Sequence, residues 1–301
     1  MVAKSAVKPL IAIVGATASG KSTLALELAQ RFNGEIICAD AWTIRRGADI
    51  GTAKPTIKEQ QTIKHHLVNI LSPDDGFNAA TFKKLANEAI KEIGAKDKLP
   101  IMVGGTGLYI DSVLYDYSFA FTHDKSQRSE LDNLTQEELI KLIKDKGIEI
   151  GSVDINNKRR LIRLIETNGE IPKKQSIREN TLVIGIDIER EKLIQRIHRR
   201  MQTMIEQGLE DEVQSLINQY GQGCEAMKAI GYYEWLEYVK GHQAKEEVAQ
   251  CIEKNSLSLA RRQKTWFKRN KSIQWFTTPV NMTKVVDLTT MFLNNETSIL
   301  S

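Results

Sequence analysis

The chain has 301 residues, enough for one large core and a smaller satellite domain. Its 41% hydrophobic and 27% charged content is that of a soluble globular protein, and no apolar run approaches the ~18 residues that a membrane-spanning helix needs. A net charge of +4 is too small to announce a nucleic-acid partner by its sum, so its distribution has to be read along the chain.

The first expected strand is the apolar run Leu10-Ile11-Ala12-Ile13-Val14. It enters Gly15-Ala16-Thr17-Ala18-Ser19-Gly20-Lys21-Ser22, which fits the phosphate-loop pattern G-x-x-x-x-G-K-S/T without a mismatch. Leu24, Ala25, Leu28, Ala29 and Phe32 follow at helical spacing, with Asn33-Gly34 as a stop. Strand, loop and helix in this order let loop N–H groups and the positive helix end hold two linked phosphates. Lys21 adds a point charge and the Ser22 hydroxyl is a candidate Mg²⁺ ligand. An ordinary strand–helix turn is the plainer alternative, but it does not need Lys followed by Ser.

A second strand, Glu35 to Ala39, ends at Asp40. Carboxyl ends of strands line the ligand crevice of an open α/β sheet. Asp40 is therefore read as a base, a magnesium ligand, or merely a cap for Trp42. Neighbouring His65 and His66 point to different sides of one element, which favours structural roles over a metal site. A helix over 79–93 is marked by Phe82, Leu85, Ala86, Ala89, Ile90 and Ile93, with Asn78 as N-cap and Gly94 as stop. The strand Leu99 to Val103 then runs into Gly104-Gly105-Thr106-Gly107. It lacks the terminal Walker-B Asp with which a phosphate-loop NTPase helps to hold Mg²⁺.

Alternation of strand and helix lapses over 116–180. Thr135 and Glu138 form a capping-box pattern before a helix stopped by Gly147, and helix 156–167 stops at Asn168-Gly169. Pro172-Lys173-Lys174-Gln175 reads as an exposed linker, and Thr181 to Ile188 returns the chain to the sheet. Helices over 189–207, 209–219, 231–239 and 244–269 and a strand Ile273 to Phe276 follow; the tail after about 280 is poorly specified. The expected fold is α/β: a P-loop NTPase-like parallel sheet flanked by helices, formed by 1–115 plus 181–301, with a small helical domain inserted at 116–180. Met1-Val2-Ala3-Lys4-Ser5 leaves no room for a signal-peptide core, and Cys38, Cys224 and Cys251 lack C-x-x-C spacing. A cytoplasmic protein with reduced thiols and no zinc is expected.

Two basic groups stand out. Residues 254–271 hold Lys254, Arg261, Arg262, Lys264, Lys268, Arg269 and Lys271 without an acid, with Trp266 and Phe267 embedded. On the helix near 160, Arg160 and Arg159 lie three and four residues from Arg163 and share a flank with it, while Leu161, Leu164 and Ile165 face the other way. Either group serves as a phosphate contact or as a plain solvated face.

The phosphate loop, Asp40, Gly47-Ala48-Asp49-Ile50-Gly51-Thr52-Ala53-Lys54-Pro55, His65-His66-Leu67 and Gly104-Gly105-Thr106-Gly107-Leu108-Tyr109 occur in one order. Asp124 with Arg128, Arg160-Leu161-Ile162-Arg163, Ile230-Gly231-Tyr232, and Arg262-Gln263 with Thr265-Trp266-Phe267 continue it. This series resembles the tRNA dimethylallyltransferases over roughly residues 10–276. The resemblance implies transfer of a dimethylallyl group from its pyrophosphate to N6 of adenosine 37, beside the tRNA anticodon. It places pyrophosphate in the loop (Gly15 to Ser22) with Mg²⁺ on Ser22, makes Asp40 the base, and sets Thr17 near the bridging oxygen. Thr17 read alone is equally a backbone-bonding loop residue. For tRNA the resemblance implies Asp40, Ala41, Trp42, Thr43, Thr106, Arg128, Arg159, Arg160, Leu161, Ile162, Arg163, Arg261 and Arg262, in a monomer without a membrane partner.

Some positions depart from the family pattern. The family's Ser-x-Gln-x-Tyr after its Asp is here Ala41-Trp42-Thr43-Ile44-Arg45, its loop Pro is Ala16, and the basic residue after Gly-Tyr is Tyr233. The family's Thr-Arg-Gln is here Ser256-Leu257-Ser258. The aromatic ring of Trp42 is suited to stack on a flipped base. Prenyl transfer to free AMP or ATP and non-catalytic tRNA binding are the alternatives. A phosphate-loop kinase is disfavoured because neither a lid-like arginine set nor a Walker-B acid is found.

Overall fold

Strands rich in Ile, Val and Leu whose every residue is buried belong in the middle of a sheet covered on both faces, as in β1 (Leu10–Gly15) here. The computed structural model describes residues 7–119, 128–151 and 153–294. From β1 the chain continues as α1 (Lys21–Arg31), β2 (Gly34–Cys38), α2 (Ile57–Thr62), β3 (His65–His66), α3 (Ala79–Ala95), β4 (Leu99–Gly104), α4 (Gly107–Leu114), α5 (Arg128–Asn133), α6 (Gln136–Asp145) and α7 (Lys158–Glu166). It ends with β5 (Thr181–Asp187), α8 (Arg190–Glu206), α9 (Leu209–Tyr220), α10 (Leu236–Val239), α11 (Lys245–Phe267), β6 (Ile273–Thr277) and α12 (Met282–Leu293). The sheet of the described residues is parallel throughout, in the order β3-β2-β4-β1-β5-β6. No helix among them is long and apolar enough to cross a membrane.

The described residues fall into two compact units, one within 1–114 and 178–301, the other within 115–177. In the first, Ile11, Ile13, Ile36, Ile101 and Ile184 pack with Leu24 and Leu28 of α1 and with Val285 and Phe292 of α12. A second core gathers Met201, Met204, Leu209, Val213, Tyr232, Trp235 and Val248 from α8, α9 and α11 and the segment before α10. In the 115–177 unit, α5 to α7 bury Leu131, Leu139, Ile143, Leu161 and Leu164. Both halves of the Thr135–Glu138 capping box form, and positive φ at Gly147, Asn168 and Gly169 follows α6 and α7.

Three expectations are corrected. Gly94 does not stop α3: it is buried inside the last turn, which ends at Ala95, and Asp97 (φ +52) takes the left-handed position. Residues 231–239 are not one helix but a 3-10 turn (Tyr233–Trp235) and the one-turn α10, because Gly231 (φ +100) lies against Gly51 and gives its N–H to buried Glu234. The tail holds α12, capped by Asn281, whose Val285 and Phe292 are seven apart and buried on one face. Asp124 lies outside the described residues.

Candidate active site at the carboxyl end of the sheet

Where β1 meets its phosphate loop, backbone geometry dictates residue type. Gly15 has φ +147, and a Cβ there would lie 2.7 Å from the Ile186 carbonyl oxygen of β5. Gly20 has φ +100 and caps α1 with its backbone, and Ala18 turns the loop at φ +58. Lys21 Nζ donates back to the Ala16 carbonyl at 2.6 Å. Three side chains from distant helices reach this loop. Gln263 Oε1 of α11 accepts the Thr17 N–H at 2.7 Å. Arg196 of α8 donates to the Ser19 carbonyl at 3.0 Å, and Arg200, one turn on, donates to Thr17 Oγ1 at 3.2 Å.

Asp40 follows β2. Its Oδ1 accepts the N–H groups of Trp42 (2.8 Å) and Thr43 (3.3 Å), so the capping role is real. That leaves Oδ2 without a protein hydrogen bond among the described residues. Asp40 lines a cavity of about 660 Å³ together with Thr17, Ala18, Gly20, Lys21 and Ser22. Burial pushes Lys21 down to about 8; the Asp40 carboxylate opposes this and Arg200 adds to it. Arg200 is itself lowered, by burial first, with Asp40 holding it up. Burial raises the Cys38 thiol at the same wall to about 12, which keeps it neutral. The exposed Ser22 hydroxyl and the Asp40 carboxylate share the cavity, and such hard oxygen donors fit Mg²⁺.

The strand between these two walls ends in Gly104 and Gly105, which also line the cavity. A Cβ at 104 would lie 2.0 Å from the Ala39 carbonyl oxygen, and one at 105 would lie 2.2 Å from Gln263 Nε2. Gly107 lets the Trp266 ring approach, and Trp266 Nε1 donates to Asp111 at 3.0 Å. That aromatic of the basic run thus pins α11 to α4.

The remaining expected residues are spread more widely. Trp42 and Thr43 line the cavity, with the Arg45 guanidinium 5.4 Å from the Trp42 ring centre, and Ala41 is half-buried beside them. Thr106 is half-buried next to the cavity-lining glycines and gives its N–H to the Ala39 carbonyl. Arg262 lines the cavity and donates to Ser258, whereas Arg261 faces a second cavity of about 690 Å³ shared with Gly15 and Ala16. In the other unit Arg159 and Arg160 are exposed, and Arg128 and Arg163 share the buried Glu166 at 2.9 and 3.4 Å. Leu161 and Ile162 are buried at 0% and 1%, and their side chains form the apolar side of α7. His66 Nε2 is held by Glu35 at 2.7 Å and His65 Nδ1 by the Ile63 carbonyl, with His65 also on the cavity wall.

Sequence reading missed Arg196 and Arg200, which approach the loop from α8. Their i, i+4 spacing was visible, but α8 also carries Arg190, Arg199 and other bases on its remaining flanks.

Residues 43–270 match the sequence profile of the IPP transferase family. The tRNA dimethylallyltransferase of Macrococcus caseolyticus is 40% identical over 284 residues, covering 90% of this chain and 91% of that protein. A tRNA isopentenylpyrophosphate transferase structure from Bacillus halodurans superposes with a TM-score of 0.76 at 35% identity, over 97% of this chain and 99% of that one. The corresponding Staphylococcus epidermidis structure gives 0.73 at 36%, over 97% and 100%. With three-quarters of its length matched by the profile and relatives at this identity spanning nearly all of it, the chain belongs to the IPP transferase family.

Proposed function

We infer that this protein transfers a dimethylallyl group from dimethylallyl pyrophosphate to N6 of an adenosine beside the tRNA anticodon, position 37. The observation that carries this reading is one cavity with an anion-holding loop on one wall, a carboxylate on the other, and glycine where an NTPase keeps its second acid. The allylic carbon–oxygen bond breaks and its electron pair leaves with pyrophosphate. Loop N–H groups, Lys21 and the arginines Arg196 and Arg200 hold that charge. The N6 lone pair forms the new carbon–nitrogen bond, and Asp40 Oδ2 takes the N6 proton. Thr17 Oγ1, already oriented by Arg200, meets the leaving oxygen. Ser22 would hold Mg²⁺, which would supply Lewis-acid stabilisation of the pyrophosphate.

Trp42 and Thr43 meet the flipped base, and Ala41, Thr106, Arg261 and Arg262 the bases around it. Arg128, Arg159, Arg160 and Arg163 contact the anticodon stem-loop from the 115–177 unit, which acts as a tRNA-binding domain. The enzyme works as a cytoplasmic monomer.

The test is incubation with dimethylallyl pyrophosphate, Mg²⁺ and a tRNA bearing adenosine at position 37, followed by digestion and nucleoside mass measurement. Gain of one dimethylallyl group on adenosine is expected. Product on AMP alone would move the protein to adenylate prenylation, and tRNA binding without product to a non-catalytic role.

A further inference from the structure

Gly51 and Thr52 line the cavity, and the backbone N–H groups of residues 49–51 are held by a carboxylate from another helix. Glu212 of α9 accepts the N–H groups of Asp49 (2.9 Å), Ile50 (2.9 Å) and Gly51 (3.1 Å), three in succession, and the Tyr232 hydroxyl at 2.6 Å. Successive N–H groups converging on one point form an anion-binding nest, and here the anion is the protein's own. The fit is close: a Cβ on Gly51 would lie 2.5 Å from the Tyr232 ring. The next residue, Thr52, returns its hydroxyl to the Ala48 carbonyl at 2.8 Å and offers its own carbonyl to Arg200 Nη2 at 3.4 Å. Arg200 Nη1 donates to Thr17 Oγ1 in the phosphate loop. Among the described residues, these are the two hydrogen bonds of the Arg200 guanidinium.

We propose that Glu212 is a positioning residue for the pyrophosphate site, acting through the 49–52 backbone on Arg200. It touches no substrate. It fixes the carbonyl that aims one arm of the guanidinium, so that the other arm reaches the loop without searching. The proposal rests on the pyrophosphate reading of the cavity.

The experiment measures binding of inorganic pyrophosphate with Mg²⁺ to the full chain by calorimetry, a readout that does not depend on transfer. Glu212→Gln should weaken binding about tenfold, the scale of one charge-assisted hydrogen bond. In an Arg200→Ala background the same change should have no further effect. Equal losses in both backgrounds would overturn the proposal, because a merely structural role does not need Arg200. Should Glu212→Gln melt below the assay temperature, Tyr232→Phe removes one hydrogen bond to the carboxylate and keeps the ring. Its smaller loss must likewise vanish without Arg200, and persistence overturns the proposal. Failure of the unmutated protein to bind pyrophosphate would instead sink the functional reading, and this proposal with it.

Discussion

The phosphate loop and helix α7 are both rich in positive charge and hold it in opposite ways. Around the loop, Lys21 and Arg200 are lowered by burial, and the counter-charge that opposes this for both is the carboxylate of Asp40. On α7 the arginines stand in solvent or share Glu166, and the apolar side of the helix is sealed in a small core. The first arrangement keeps cations poorly solvated and preorganised for a small, dense anion. The second leaves them hydrated and screened by salt, as groups that bind a long polyanion are.

The largest effect should come from the loop side. Lys21→Ala and Asp40→Asn are each expected to cut transfer by about 10²–10⁴-fold, with tRNA affinity intact for both. Rates within a few-fold of the unmutated enzyme would remove either residue from the chemistry. Next comes charge reversal of Arg160 and Arg163. tRNA affinity should fall, and the slope of its logarithm against log salt should flatten by about one for each phosphate that is no longer neutralised. Pyrophosphate affinity should stay put; if it changes equally, the contrast between the two regions is broken.

A pH series separates them further. The Lys21 ammonium is lowered to about 8, so pyrophosphate affinity should decline as pH rises through that value and the charge disappears. Binding of RNA by α7 should be flat there, since arginine stays charged. For the fold the sign is reversed. Between about 8 and the ordinary lysine value the unfolded chain binds the proton that the native state has shed, so Lys21 makes stability rise with pH over that window. The smallest effect is expected from Glu166→Gln. It should lower the melting temperature by removing about 1–3 kcal/mol of paired, buried carboxylate, and tighten tRNA slightly by removing a negative charge.

What could be read from sequence was what lies close together along the chain. The loop, its helix and Asp40 occupy about thirty consecutive residues, with each loop glycine forced by its own backbone. Gln263, Arg196 and Arg200 reach the same loop from far down the chain, and choosing them requires knowing how α8 and α11 are rotated. Gly94 misled because a glycine that suits a helix stop is also tolerated within a last turn, and here burial decided. α12 escaped because Thr, Lys and Asp dilute its apolar positions, and only the partner sheet shows which of them count.

The glycine pair at the end of β4 limits which side chains this strand end can carry. No side chain fits at 104 without displacing the Ala39 peptide, nor at 105 without expelling the glutamine that holds the loop. An NTPase acid at this strand end is therefore not one substitution away. A side chain at 104 would first demand a shift of the neighbouring strand's end, and one at 105 would take from the loop the side chain that accepts the Thr17 N–H, so either change reaches the pyrophosphate wall before any acid could act there.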